Sequence, residues 1–196
     1  MRLLLLARHG QSQLNVRGLV NGDPALDPGL SPLGAEEASS LGRQLASTAI
    51  DLCVTSRFPR AQETAQLALG ERAATVPHVV DADLDDIKIG DLEGDTLDAY
   101  RSWKHAHSAA DRFPGGESLL EAARRYAAAF ERLRARREET ILCVCHEIPV
   151  RYAVNAAGGS ERLDGPLHDV ANATPYVFDA AGLERAIGRL RVLAAG

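Results

Sequence analysis

Three short stretches of the chain, residues 3–7, 50–55 and 140–145, are almost unbroken apolar runs with no alternation of apolar and polar positions. That is the pattern of strands covered on both faces, as in a parallel sheet. Helical spacing fills the intervals. Ser31-Pro32 supplies an N-cap serine and a proline at the first helical position, and Leu33, Leu41 and Leu45 then recur at helical spacing to about Ser47. A second helix is predicted over 59–69. "SLLE" at 118–121 forms a capping box that opens a long helix, with Leu119, Ala122, Ala123, Tyr126, Phe130 and Leu133 on its apolar face. A shorter helix is expected after His146, and another over 95–108. The tail, 174–192, reads as two strands meeting around 180–182. Strands alternating with helices predict an α/β sandwich, in one domain over 1–196.

Composition narrows the function classes. A net charge of −5 argues against nucleic acid or an anionic membrane as partner, because both require a basic footprint. Cys53, Cys143 and Cys145 are an odd set inside apolar runs, so buried, reduced thiols are expected rather than a disulfide framework. The first apolar run is too short for a signal peptide or a membrane span and is ended by Arg8 and His9, which makes the cytoplasm the expected location.

The candidate chemistry lies at the strand tips. In open α/β sheets, ligands bind beyond the carboxyl ends of the strands. The first run delivers Arg8 and His9, the second Ser56, Arg57 and then Arg60 at the next helix start, the third His146. A lone histidine after a strand is ordinarily a structural group. Two histidine-tipped strands with arginines at the same edge instead describe a dianion site, since guanidinium forks match phosphate oxygens. "HAH" at 105–107 lacks a third metal ligand, "CVCH" at 143–146 puts the cysteines and the histidine on opposite faces, and "FPGGES" has no Walker lysine. No metal or other cofactor is expected.

"RHGQSQLN" at 8–15 resembles the signature of the histidine phosphatase superfamily, the phosphoglycerate mutase-like branch. "NGDPALDPGLSPLGAEEA", "SRFPRAQETA", "LDDIKIGDLEG", "FPGGES" and "CVCHEIPVR" resemble further blocks of that family, in its order. The resemblance implies a three-layer α/β/α sandwich with a mostly parallel central sheet. It implies that His9 is a nucleophile forming a phosphohistidine, that Arg8, Asn15, Arg60 and His146 hold the phosphoryl oxygens, and that Asp86 takes the place of the proton donor. Gly10 would let the backbone approach the phosphate, and Asn21 and Gly22 stand where the family has substrate-contacting residues.

Two positions depart from the family's pattern. Asp86 replaces the usual glutamate, with Glu93 and then Asp85 as the alternative donors, and Glu147 follows His146 where a small residue is usual. The expected activity is metal-independent hydrolysis of a small phosphomonoester. A phosphoglycerate mutase and a non-catalytic phospho-ligand binding protein are the alternatives. True mutases of the family carry a longer segment with more basic residues where this chain has 95–114. The stretch 95–111, with Tyr100 and Trp103, is expected to cap the pocket. The partner is then a small-molecule phosphomonoester, and nothing in the sequence reads out an oligomeric state.

Overall fold

The computed structural model describes residues 1–195. Its sheet has five strands: β1 (Leu3–Arg8), β2 (Leu52–Thr55), β3 (His78–Val80), β4 (Thr140–Cys145) and β5 (Pro175–Asp179), in the order β3-β2-β4-β1-β5. The first four are mutually parallel, and β5 runs antiparallel to β1 at one edge. The helices are α1 (Gln13–Val16), α2 (Pro32–Gln44), α3 (Pro59–Leu69), α4 (Leu97–Ala106), α5 (Leu119–Arg134), α6 (Glu147–Ala157) and α7 (Ala180–Ala194).

The apolar runs lack alternation because both faces of the sheet are covered. Leu5, Ala7, Cys53, Leu142 and Val144 point into a core shared with Leu41 of α2 and with Ala61 and Ala65 of α3. Leu4, Leu6, Leu52, Val54, Ile141 and Cys143 point the other way, into the larger core beneath α5, α6 and α7. The result is the three-layer sandwich. All three cysteines are free and buried, and burial pushes the Cys53 thiol up to about 12, which leaves it inert as a nucleophile. No helix among the described residues is long and apolar enough to cross a membrane.

Helix α3 spans the predicted 59–69, and α5 opens on Ser118 and Glu121 as a reciprocal capping box. The tail differs from expectation. Its first half is β5, but the second is helix α7, not a strand. Asp179 caps that helix by accepting from the Gly182 amide at 2.6 Å, and Leu183, Ala186, Ile187 and Leu190 bury one helical face. Gly182 reads locally as a turn residue, yet here it occupies the third position of the helix, where the cap needs only its N–H. The edge strand β3 is absent from the sequence reading because His78, Val79 and Val80 are all exposed and leave no burial signature.

Candidate active site

Parallel register sets the carboxyl ends of β1, β2 and β4 side by side. The ladder runs on past the strands: the His9 amide donates to Cys145 O at 2.9 Å, and the Ser56 amide to Val144 O at 3.3 Å. His9 and His146 thereby meet with ring centroids 5.3 Å apart, both buried. Arg60, at the second position of α3, enters the same space.

Arg60 is the hub. Its Nε donates to His9 Nε2 at 3.0 Å, its Nη2 to His146 Nδ1 at 3.2 Å and to Asp86 Oδ2 at 3.3 Å, and its Nη1 to Asn21 Oδ1 at 2.5 Å. Asp27, whose side chain is fully buried, accepts from the Arg60 amide at 2.9 Å and pairs with its guanidinium at 3.4 Å. A guanidinium can only donate, so these contacts fix both tautomers. His9 Nε2 is an acceptor, hence Nδ1–H donates to Gly10 O, 2.6 Å away. His146 Nδ1 is an acceptor, hence Nε2–H donates to Ser56 Oγ at 2.8 Å. Both imidazoles are held neutral. Burial, reinforced by the Arg60 charge, puts each well below the ordinary histidine value.

The three candidate acids separate cleanly. Asp85 is buried and committed to Arg57, whose amide and Nε it accepts at 2.9 and 2.7 Å. Glu93 accepts from Asn21 Nδ2 at 2.7 Å and from the Gly22 amide at 2.8 Å, so it braces that loop. Only Asp86 turns toward the histidines, with Oδ2 3.6 Å from His146 Nδ1. Burial raises its carboxyl above the usual range, with Glu147 adding to the rise and Arg60 opposing it. Its backbone is clamped by Arg125 of α5, which donates to the carbonyls of Asp83, Asp85 and Asp86 at 3.0, 2.9 and 3.3 Å, while Glu117 accepts from Lys88 N at 3.0 Å and pairs with Arg125.

The remaining candidates are placed unevenly. Arg8 donates to Val170 O at 2.8 Å and pairs with Glu147 at 3.0 Å; Glu147 also takes Arg151 at 3.1 Å, so its charge is matched twice. Asn15 lines the cleft, with Oδ1 held by the Ser12 amide in a capping box, which leaves its Nδ2 to donate. Asn21 is in the cluster through Arg60. Gly10 and Gly22 are not in the cleft wall. A Cβ on Gly10 would meet Gly34 O at 2.3 Å, and the Gly10 amide is already given to Thr64 Oγ1 at 2.9 Å. A Cβ on Gly22 would meet Ile87 O at 2.2 Å. Close backbone packing by itself requires glycine at both.

Above the cluster opens a cleft of about 600 Å³. Helix α4 forms one wall through Leu97, Tyr100, Arg101, Lys104 and His105. Trp103 does not face the cleft, contrary to expectation: it stacks on Phe113 at 4.1 Å and on His107 at 4.0 Å and anchors the helix to the core. Trp103→Ala is therefore expected to cost about 2 kcal/mol of stability in chemical denaturation and to leave relative rates on different phosphomonoesters unchanged. A selectivity change without destabilisation would contradict this placement.

Four groups that shape the site carry no functional signal in the sequence: the Ser56 hydroxyl, Asp27, Arg125 and the Gly10 carbonyl. No local pattern marks them, because each acts on a residue distant in the chain or through its backbone.

A mostly parallel α/β sandwich with paired imidazoles and guanidiniums at its carboxyl edge is a fold and site of the phosphoryl-handling class. The chain belongs to the histidine phosphatase superfamily (branch 1), whose family model matches residues 4–192. Among curated relatives, it is 33% identical to a 2,3-bisphosphoglycerate-dependent phosphoglycerate mutase of Methylobacterium sp. (strain 4-46), over 90% of each chain. Among solved structures, it resembles the alpha-ribazole phosphatase from Shigella flexneri (30% identity, TM-score 0.70, covering 81% of this chain and 80% of that one). It also resembles a mycobacterial glucosyl-3-phosphoglycerate phosphatase in complex with VO3 (28% identity, TM-score 0.71, covering 90% and 92%).

Proposed function

We propose that the chain hydrolyses a small phosphomonoester through a phosphohistidine on His9, with α4 capping the cleft. The observation that carries this reading is the state of His9: a neutral ring with Nδ1–H tied to Gly10 O and the Nε2 lone pair facing Arg60. Such a ring attacks phosphorus without a separate base. An arriving phosphoryl group takes the Arg60 donors for its own oxygens and frees that lone pair, while Arg8 and Asn15 supply further donors. The substrate binds as its monoanion, and as its charge offsets that of Arg60 its phosphoryl proton passes to His146 Nδ1, to leave again with the released phosphate. Nδ1–H then donates to a phosphoryl oxygen and Nε2–H stays on Ser56.

In the first step the His9 Nε2–P bond forms, the P–O ester bond breaks, and the leaving oxygen takes the Asp86 proton. In the second, water attacks phosphorus, its proton goes to the Asp86 carboxylate, and the P–N bond breaks to release phosphate.

The pH dependence follows from these two groups. His9 must be neutral, and its lowered pKa keeps it so to well below pH 6.5; Asp86 must be protonated, and its raised pKa extends that state above pH 3.8. The kcat/KM profile is expected to be bell-shaped with its maximum on the acid side of neutrality, falling with rising pH as Asp86 ionises. Asp86→Asn is expected to slow turnover of an alkyl phosphate by roughly 10²- to 10⁴-fold. It should nevertheless retain a rapid burst of nitrophenol from p-nitrophenyl phosphate, whose leaving group needs no acid. Equal losses on both substrates with no burst would assign the proton to another group.

Mutase chemistry is the second reading, favoured by the phosphoglycerate mutases among the curated relatives. Those mutases match over about nine-tenths of their own length, so chain length alone does not separate the two activities. The cations of 95–114 do bear on it. Arg112 is turned away to Gly116 O and Glu121, Lys104 is held by Asp164 at 2.9 Å, and Arg101, at the cleft, pairs with Asp98 at 3.8 Å, so each arginine and lysine of that segment already has a carboxylate partner. Product analysis with phosphoglycerate, with and without a bisphosphate primer, decides. Release of inorganic phosphate is expected, and isomerised phosphoglycerate without free phosphate would reverse the assignment. A phospho-ligand binding protein without turnover would instead leave p-nitrophenyl phosphate intact.

A further inference from the structure

Beyond the catalytic cluster, the cleft lining has a composition of its own. It has an apolar part, with Leu14, Leu19, Ile87, Ile89 and Leu97. It also has a polar part, with Tyr100, Lys104, Arg151, Asp164, His168 and Asp169. Each arginine and lysine lining the cleft already has a carboxylate: Arg8 pairs with Glu147 at 3.0 Å, Arg60 with Asp86 at 3.3 Å, Arg101 with Asp98 at 3.8 Å, Lys104 with Asp164 at 2.9 Å, and Arg151 with Glu147 at 3.1 Å and Asp164 at 2.9 Å. Four carboxylates line the cleft, Asp86, Glu147, Asp164 and Asp169. An anionic leaving group would meet those charges and would have to compete for cations that are already paired.

Two donor groups in this polar part have hydrogen-bonding capacity to spare, and the Asp164 Oδ1 acceptor beside them likewise makes no hydrogen bond among the described residues. The Tyr100 hydroxyl and the Arg151 Nε–H are both buried and find no partner among the described residues. Tyr100 sits within the field of Asp86, Arg151, Asp164 and Glu147, and burial with those carboxylates raises its pKa, so the hydroxyl keeps its proton. Unsatisfied polar atoms inside a folded protein are costly, and a pair of them beside a catalytic cluster marks a place for a polar ligand group.

We propose that this part of the cleft is the specificity subsite for an uncharged, hydroxyl-bearing leaving group, a sugar or polyol. The apolar part takes its carbon face, and the Tyr100 hydroxyl and Arg151 Nε–H bind its hydroxyls. The inference rests on the phosphatase reading above and names the substrate class for it.

The test compares kcat/KM for ribose 5-phosphate, glucose 6-phosphate, 3-phosphoglycerate and p-nitrophenyl phosphate, in the wild-type protein and in Tyr100→Phe. At least one sugar phosphate is expected to exceed 3-phosphoglycerate by about tenfold or more. Tyr100→Phe should lower the ratio of kcat/KM for that sugar phosphate to kcat/KM for p-nitrophenyl phosphate by about tenfold. A 3-phosphoglycerate rate equal to or above both sugar phosphates, or a uniform loss in the variant, overturns the proposal. Absence of all hydrolysis counts against the phosphatase reading instead, and the subsite is then judged by calorimetry. In a His9→Ala background, sugar phosphates binding about tenfold tighter than 3-phosphoglycerate, and losing that margin with Tyr100→Phe, supports it; equal or reversed affinities overturn it.

Discussion

His9→Ala is expected to abolish hydrolysis, by roughly 10³- to 10⁶-fold, because it removes the atom that would bond to phosphorus rather than a group that assists it. The fold should survive. The side chain's hydrogen bonds are to the carbonyl of the next residue and to Arg60, which keeps Asn21, Asp27, Asp86 and His146 as partners. The measurement is twofold: steady-state rates on an aryl phosphate, and acid-labile phosphate trapped on the protein after rapid quenching. Wild-type protein should carry the label and the variant none. Undiminished labelling of His9→Ala would move the nucleophile elsewhere and dismantle the proposed mechanism.

Arg60→Ala is expected to be the most damaging change to the molecule as a whole. Activity should fall below detection, since the same guanidinium contacts both histidines and, in the proposed mechanism, supplies donors for the phosphoryl oxygens. Stability should fall as well, by about 3–5 kcal/mol, because the substitution leaves the Asp27 carboxylate buried without its counter-charge. Denaturant titration reads the second effect separately from the first. Arg60→Lys sharpens the comparison. An ammonium restores a charge near Asp27 and should recover part of the stability, yet it cannot donate to His9, Asn21 and His146 as one planar fork, so activity should stay low. Recovery of near-normal rates in Arg60→Lys would show that only the charge at this position matters.

Much of this architecture was legible before any coordinates. The unalternating apolar runs announced a sheet covered on both faces. Ser31-Pro32 and "SLLE" marked helix starts that α2 and α5 use. These features are local: a cap, a period and a run of apolar residues each act within a few positions of the chain. The element that departs from expectation is α7, where packing of Leu183, Ala186, Ile187 and Leu190 against α5 and α6 makes a helix of the expected second strand.

The chain by itself determined which residues could meet at the sheet edge: His9, Arg60 and His146 follow strands whose parallel arrangement leaves their tips together. Only the tertiary structure decided the rest. It turned Asp86 toward His146 while giving Asp85 and Glu93 to Arg57 and the Asn21–Gly22 loop. It also set the tautomers through Arg60, turned Trp103 away from the cleft, and gave Gly10 and Gly22 to close backbone packing. The physical reason is common to all of these. Which acid stays free, which nitrogen keeps its lone pair and which cation is already neutralised depend on partners tens of residues away, and no local pattern records them.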